Sequence, residues 1–155
     1  MKIECGDFHA DGEIPVKFTC QGEDVSPALS WNGVPREAAS LALLCEDPDA
    51  PGGLWVHWVA YDLPASLLGL PEGVPRRPEV PGGGLQGVND FGRAGYGGPC
   101  PPHGPHHRYY FRLYALDRKL GLPPKASRRD LLAAMEGRVV GQAELMGRYK
   151  RQPGG

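Results

Sequence analysis

Short apolar runs, cut apart by glycine and proline, mark most of this chain. Ser40–Glu46 (SLALLCE) and Leu54–Leu63 (LWVHWVAYDL) are almost wholly apolar and are stopped by Pro48 and Pro64. Runs of that length and composition predict strands in the middle of a sheet. His106–Leu116 (HHRYYFRLYAL) predicts another. In the last segment Val139, Gly141, Ala143 and Leu145 alternate with Val140, Gln142, Glu144 and Met146, which predicts a final strand. Near the start, Ile14, Val16 and Phe18 alternate with more polar neighbours and predict a short strand, and SPALSW from Ser26 predicts a second. Only SRRDLLAAMEG reads as a helix. Ser127 can cap it, Asp130 stands three residues on in a variant of the capping box, and Gly137 is placed to end it. Leu67–Gly98 has no strong period and is rich in glycine, proline and polar residues. A stretch that long in a small domain is ordered by packing over something else, and a site is one such thing.

The order is therefore strands, loops, strand, helix, strand. It predicts an all-β antiparallel sandwich with one or two short peripheral helices, in a single domain spanning residues 1–155. A doubly wound sheet needs more than one good helix. The 23 glycines and 17 prolines are spread between the apolar runs, so they indicate rigid turns and not a disordered tail. A net charge of -1 leaves no electrostatic footprint for nucleic acid or an anionic membrane. The beginning, MKIECGDFHADG, has no apolar run, which predicts no signal peptide, no membrane span and a cytoplasmic protein. Cys5, Cys20, Cys45 and Cys100 form no CxxC pair. Four reduced thiols are expected, with a Cys5–Cys20 bridge between neighbouring strands as the alternative.

Several polar residues stand where apolar ones are expected. Strict alternation puts Trp55, His57, Val59 and Tyr61 on one face of their strand and Val56, Trp58 and Ala60 on the other. His57 is then either a core histidine with one hydrogen bond or a ligand group. Asp47 and Asp49 are held by Pro48 and Pro51 at a strand end. They either cap the turn or orient a histidine or arginine. His107, Tyr109, Phe111 and Leu113 share a face, and Arg108 points the other way. Arg108 among aromatic residues is expected to be buried and paired with Asp49, so that its removal leaves a buried charge and lowers stability substantially. His103 and His106 read as exposed loop residues. The loop GPCPPHGPHH carries Pro99, Pro101, Pro102 and Pro105. Such a loop is preorganised, for a site or for a well-packed turn, and the sequence does not say whether one X-Pro bond is cis.

If Asp47, His57, His107 and Tyr109 converge, they supply imidazole and phenol donors and one carboxylate. That set suits a small anion. It is also a legal zinc set, but no HxxH or HExxH spacing supports a metal, and none is expected. No GxSxG elbow, Walker loop or dinucleotide fingerprint is present, and no catalytic residue or cofactor is expected. Cys45 and Cys100 are nucleophile candidates only if exposed beside a histidine.

DPDAP, then HW, then GPCPPHGPHHRYYFRLYALD resemble the two signature regions of the phosphatidylethanolamine-binding proteins, in order and at suitable separation. The bacterial and archaeal branch, often called Raf kinase inhibitor-like, is the nearest. SPALSW and AMEGRVVGQAELMGRYKR resemble it too, so the resemblance covers essentially the whole chain. It implies a Greek-key β-sandwich with a small pocket at one end that binds phosphate-bearing or other small anions, including the phosphorylethanolamine head group. By motif position it implies ligand-binding roles for Asp47, His57, Pro101, Pro102, His107 and Tyr109, with Asp49 and Arg108 as structural support. Members of the branch are often dimers, which implies a homodimer. Arg138 stands where the branch often carries histidine. It either adds a fixed charge to the pocket or faces solvent. The alternative function is a protein-interaction module that inhibits a protease or other enzyme through the Pro71–Gly98 segment, with Arg93 and Tyr96 as contacts. A hydrolase is the least supported reading.

Overall fold

Every residue of the strand Ser40–Asp47 is buried, because this strand runs through the middle of a five-stranded sheet and is covered on both faces. The structure is a computed structural model and describes residues 1–154. Its strands are β1 (Lys2–Cys5), β2 (Leu29–Asn32), β3 (Ser40–Asp47), β4 (Trp55–Pro64), β5 (Gly69–Leu70), β6 (Leu85–Gln86), β7 (His107–Leu116) and β8 (Val139–Tyr149). The helix α1 (Arg128–Met135) precedes β8. One sheet has the order β1-β2-β5 and the other β6-β4-β3-β7-β8. All named strands pair antiparallel. Within the larger sheet β3, β4 and β6 lie side by side and β7 returns to the far side of β3. That is the spatial order of a Greek key.

The main core lies between the sheets and contains Leu41, Leu43, Cys45, Trp58, Phe111 and Leu113 from the large sheet against Ile3, Leu29 and Trp31 from the small one. A second core packs Ala42, Leu44, Val59 and Tyr61 against Leu131 and Met135 of α1. Ser127 caps α1 by accepting from the Asp130 N–H, and Asp130 returns the bond to the Ser127 N–H, closing a capping box. Gly137 follows at φ +74, a conformation that glycine adopts without steric cost. Among the described residues no helix is long and apolar enough to cross a membrane.

Three expectations need correction. Ile14–Phe18 is no strand: Val16–Phe18 forms a 3-10 turn. Ile14 and Phe18 are buried while Val16 is exposed, so the apolar alternation there is not a strand period. The cysteines are not four free thiols, and Cys5 is not bridged to Cys20. Cys20 is bonded to Cys100, and Cys5 and Cys45 are free. Folding places the Cys20 loop beside the proline-rich loop, a proximity that spacing along the chain cannot report. The third concerns the face of His57. Cys45 pairs with Trp58 and Glu46 with Val56, so β4 carries one extra residue there. This bulge breaks the alternation. Val56 joins Val59 and Tyr61 in the helix-side core, and His57 turns to the inter-sheet side with Tyr109.

A buried carboxylate ties α1 to the sheet. Glu46 is 1% exposed and accepts from Arg112 Nη1 at 2.7 Å and from Arg128 Nε. Arg128→Ala is expected to lower stability by about 1–3 kcal/mol, because Glu46 keeps only one of its two cationic partners. Urea melts of Arg128→Ala and of its exposed neighbour Arg129→Ala make the comparison. Equal losses would count against the Glu46 anchor.

Candidate functional site

Where β3, β4 and β7 meet the proline-rich loop, a cavity of about 250 Å³ opens at one end of the large sheet. It is lined by Asp47, His57, Pro101, Pro102, His107 and Tyr109, together with Trp55, Phe91 and Cys100. The structure thus brings all six sequence-derived ligand candidates onto one cavity. Among the described residues no group of three or more His, Cys, Asp or Glu is arranged to hold a metal ion.

Each polar group is oriented by a specific bond. Asp47 ends β3, and its Oδ1 accepts the Asp49 N–H at 2.7 Å, so the DPD turn holds the carboxylate from its own backbone. Asp47 Oδ2 accepts from His107 Nδ1 at 2.7 Å. His57 Nδ1 lies 2.6 Å from the Gly97 carbonyl. A carbonyl only accepts, so Nδ1 carries the proton, and in the neutral ring Nε2 is left as an acceptor. Burial holds His57 below the ordinary histidine value, against the opposing pull of the Gly97 bond and the Asp47 charge. Tyr109 is fully buried, and its hydroxyl has no hydrogen-bond partner among the described residues. Burial first, and the nearby Asp47 charge second, push that phenol well up, so it stays a donor.

The aromatic wall is continuous. Tyr109 meets His57 edge-on at 5.2 Å and lies nearly parallel to His107 at 6.4 Å. Phe91 packs edge-on against both His57 and Trp55 at 5.5 Å. Phe91 comes from the Leu67–Gly98 segment, where sequence periodicity singled out nothing. That segment is held by two buried amides. Gln86 accepts from Trp58 Nε1 and donates to the Pro75 and Arg77 carbonyls. Asn89 Nδ2 donates to the Gly95 carbonyl, and its Oδ1 accepts the Phe91 N–H. A Cβ at Gly97 would lie 2.4 Å from the Phe91 ring, so any larger residue there would push the ring out of this position.

Other candidates fall outside the cavity or change character. Arg108 pairs bidentately with Asp49, Nε to Oδ2 and Nη2 to Oδ1, both at 2.9 Å. The pair is not buried: the Arg108 side chain is 48% exposed. Its partner Asp49 is 29% exposed, so removing Arg108 leaves a carboxylate that water can solvate. The expected loss of stability is therefore small. Arg138 is exposed beside Leu116, at the other end of β7 from His107, and does not reach the cavity. Cys45 is fully buried and its thiol is pushed up by that burial, while Cys100 is bonded, so neither is a nucleophile beside a histidine. No cis peptide bond occurs among the described residues.

The pH response of stability follows from His57. A histidine held below its ordinary value takes up fewer protons in the folded chain than in the unfolded one. Its contribution is nil above the unfolded value of 6.5 and grows more destabilising as pH falls toward the folded value. His57→Gln should therefore flatten the stability-versus-pH curve below pH 6.5, by up to roughly 1.4 kcal/mol per pH unit. Urea midpoints of both proteins between that pH and mild acid test this, and parallel curves would refute it.

An antiparallel sandwich with a small, rigid, aromatic-walled pocket at one sheet end defines the class. The family described as phosphatidylethanolamine-binding protein matches residues 5–150. A UPF0098 protein of Methanothermobacter thermautotrophicus is 54% identical over 97% of this chain and 99% of its own length. Another, from Aquifex aeolicus, is 48% identical over 97% of this chain and 89% of its own. Among solved structures, a phosphatidylethanolamine-binding protein homologue from Chlamydia trachomatis superposes with a TM-score of 0.89 at 42% identity, covering 97% of each chain. The Escherichia coli protein YbcL, described as a member of the mammalian PEBP family, gives 0.88 at 31% identity over 97% of this chain and 98% of its own. This chain belongs to the phosphatidylethanolamine-binding protein family.

Proposed function

We propose that the chain binds a small anion or the phosphate-bearing head group of a larger molecule in this cavity, through Asp47, His57, His107 and Tyr109, with Pro101 and Pro102 as the rim. The observation that carries the reading is the Tyr109 hydroxyl, buried and without a hydrogen-bond partner among the described residues. A buried donor of that kind is costly unless something accepts from it. An anionic oxygen would. The neutral His57 Nε2 accepts from a protonated phosphate oxygen, and His107, held at Nδ1 by Asp47, is left with Nε2 for the ligand. Among the described residues no arginine or lysine lines the cavity. Discrimination then rests on hydrogen-bond direction more than on a fixed positive charge. Trp55 and Phe91 at the mouth suit an organic substituent on the phosphate. The family name supports phosphorylethanolamine as the first probe.

This reading requires no chemical step. For the protein-inhibitor alternative through Pro71–Gly98, one expected contact, Arg93, is exposed. Tyr96, one of its expected contacts, is 1% exposed and donates to the Phe18 carbonyl, so it is a packing residue.

The test is an NMR titration of the histidine ring signals with phosphorylethanolamine, inorganic phosphate and acetate. Saturable shifts of His57 and His107, absent from His9, are expected. A larger response to either phosphate than to acetate favours the head-group reading. Silence of both rings at millimolar ligand would refute it.

A further inference from the structure

The disulfide sits on the cavity itself. Cys100 lines the cavity and is exposed, and its partner Cys20 lies 80 residues away in the chain, in the loop after the 3-10 turn. Between them they clamp the segment Pro99–Pro105, which forms the rim. Four of its seven residues are proline and have no N–H. The remaining N–H groups, of Cys100, His103 and Gly104, donate to no protein acceptor among the described residues. The rim therefore has no ladder of its own. Its other polar ties are two accepted bonds, Pro99 O from the Cys20 N–H at 3.0 Å and Pro101 O from Arg151 Nε at 2.7 Å. The first comes from the bridged cysteine, so it too depends on where the Cys20 loop lies.

The same arginine attends the sulfurs. Arg151 Nη2 is 3.2 Å from Cys100 Sγ and 3.7 Å from Cys20 Sγ. A guanidinium there stabilises a thiolate as it forms, which favours the opening of the bond by an incoming thiol.

We propose that the Cys20–Cys100 pair is a redox switch for the cavity: oxidised, it holds the Pro101–Pro102 rim in the binding geometry, and its reduction by a dithiol releases the rim and weakens ligand binding. The switch rests on the ligand-binding reading of the same cavity. In the exchange, a thiolate of the dithiol attacks the exposed Cys100 sulfur, the Sγ–Sγ bond breaks, and Cys20 leaves as a thiolate beside Arg151. The second thiol of the reductant then displaces Cys100 from the mixed disulfide. The dithiol departs as its cyclic disulfide, having given two electrons to the protein, and its two protons end on Cys20 and Cys100.

Preorganisation sets the size of the effect. Ordering a released rim at the moment of binding draws on the binding energy, and freezing even one or two such groups corresponds to about tenfold in affinity. The experiment is calorimetric titration of phosphorylethanolamine into the oxidised protein, the dithiothreitol-reduced protein and the reoxidised protein. Core methyl signals of Leu41 and Leu43 report in parallel that the reduced chain stays folded. The Cys20→Ser/Cys100→Ser variant provides a second reduced-like form, whose affinity must not respond to dithiothreitol. The expected result is a loss of about tenfold on reduction, regained on reoxidation. Equal affinity in folded oxidised and reduced protein would overturn the switch and leave the pocket reading standing. Absence of binding in both states would overturn the pocket reading and the switch with it.

Discussion

Cys100→Ser is expected to lower the free energy of unfolding by about 4 kcal/mol, more than Arg128→Ala or any change at the exposed Arg108–Asp49 pair. Cys20 and Cys100 are 80 residues apart, so their bond closes about half of the chain into one loop. A cross-link over a span of that size removes much of the freedom of the unfolded chain. The sheets do not depend on it for register. Every strand pair in the five-stranded sheet is held by its own ladder. The variant should therefore fold to the same structure with a lower urea midpoint, provided the parent has the 5–15 kcal/mol usual for such domains. Reduced wild-type protein should melt with the variant. A thiol count on the unfolded, unreduced wild type checks the pairing directly: two reactive thiols, Cys5 and Cys45, are expected. Four would refute the bond and the loss of stability together.

Tyr109→Phe should change binding and stability in opposite directions. The hydroxyl is buried and meets no partner at full hydrogen-bond geometry among the described residues, with only the nearby Asp47 carboxylate acting on it, so deleting it removes a desolvation cost larger than the contact it gives up. The free protein is expected to gain about 1 kcal/mol or remain unchanged. Phosphorylethanolamine binding should weaken by 1–3 kcal/mol, roughly 5- to 150-fold, because the anionic oxygen loses its neutral donor. Urea melts and calorimetric titrations of the one variant give both numbers. A fall in stability with unchanged affinity would mean that the hydroxyl serves packing and not a ligand. Tyr109 is a cleaner site for this test than His107. Removing His107 also strips the Asp47 carboxylate, 3% exposed, of its imidazole partner, so loss of binding and loss of stability would arrive together.

Much of this was legible along the chain. The apolar runs at Ser40–Glu46 and Leu54–Leu63 became β3 and β4 within a residue or two, because a strand covered on both faces must be apolar at nearly every position. Ser127, Asp130 and Gly137 bounded α1, because capping depends on a few adjacent residues. The DPD and HHRY segments place Asp47, His107 and Tyr109 by local geometry, since side chains two apart in a regular strand share a face. Each of these follows from interactions that span a handful of residues.

What only the tertiary structure decided involves partners distant in sequence. His57 faces Tyr109 because a bulge against β3 shifts the register by one residue, and a bulge is a property of the strand pair and not of the VHW tripeptide. Arg108 is 48% exposed although aromatic residues flank it, because which part of a strand face is covered depends on elements distant in sequence. Phe91 reaches the pocket because Gln86 and Asn89 anchor an aperiodic segment from within. Cys20 meets Cys100 because the fold brings together two loops separated by about half of the chain. Periodicity and capping record short-range preferences. Register, coverage and cross-linking are settled by which distant surfaces meet, and in this protein those meetings shape the cavity.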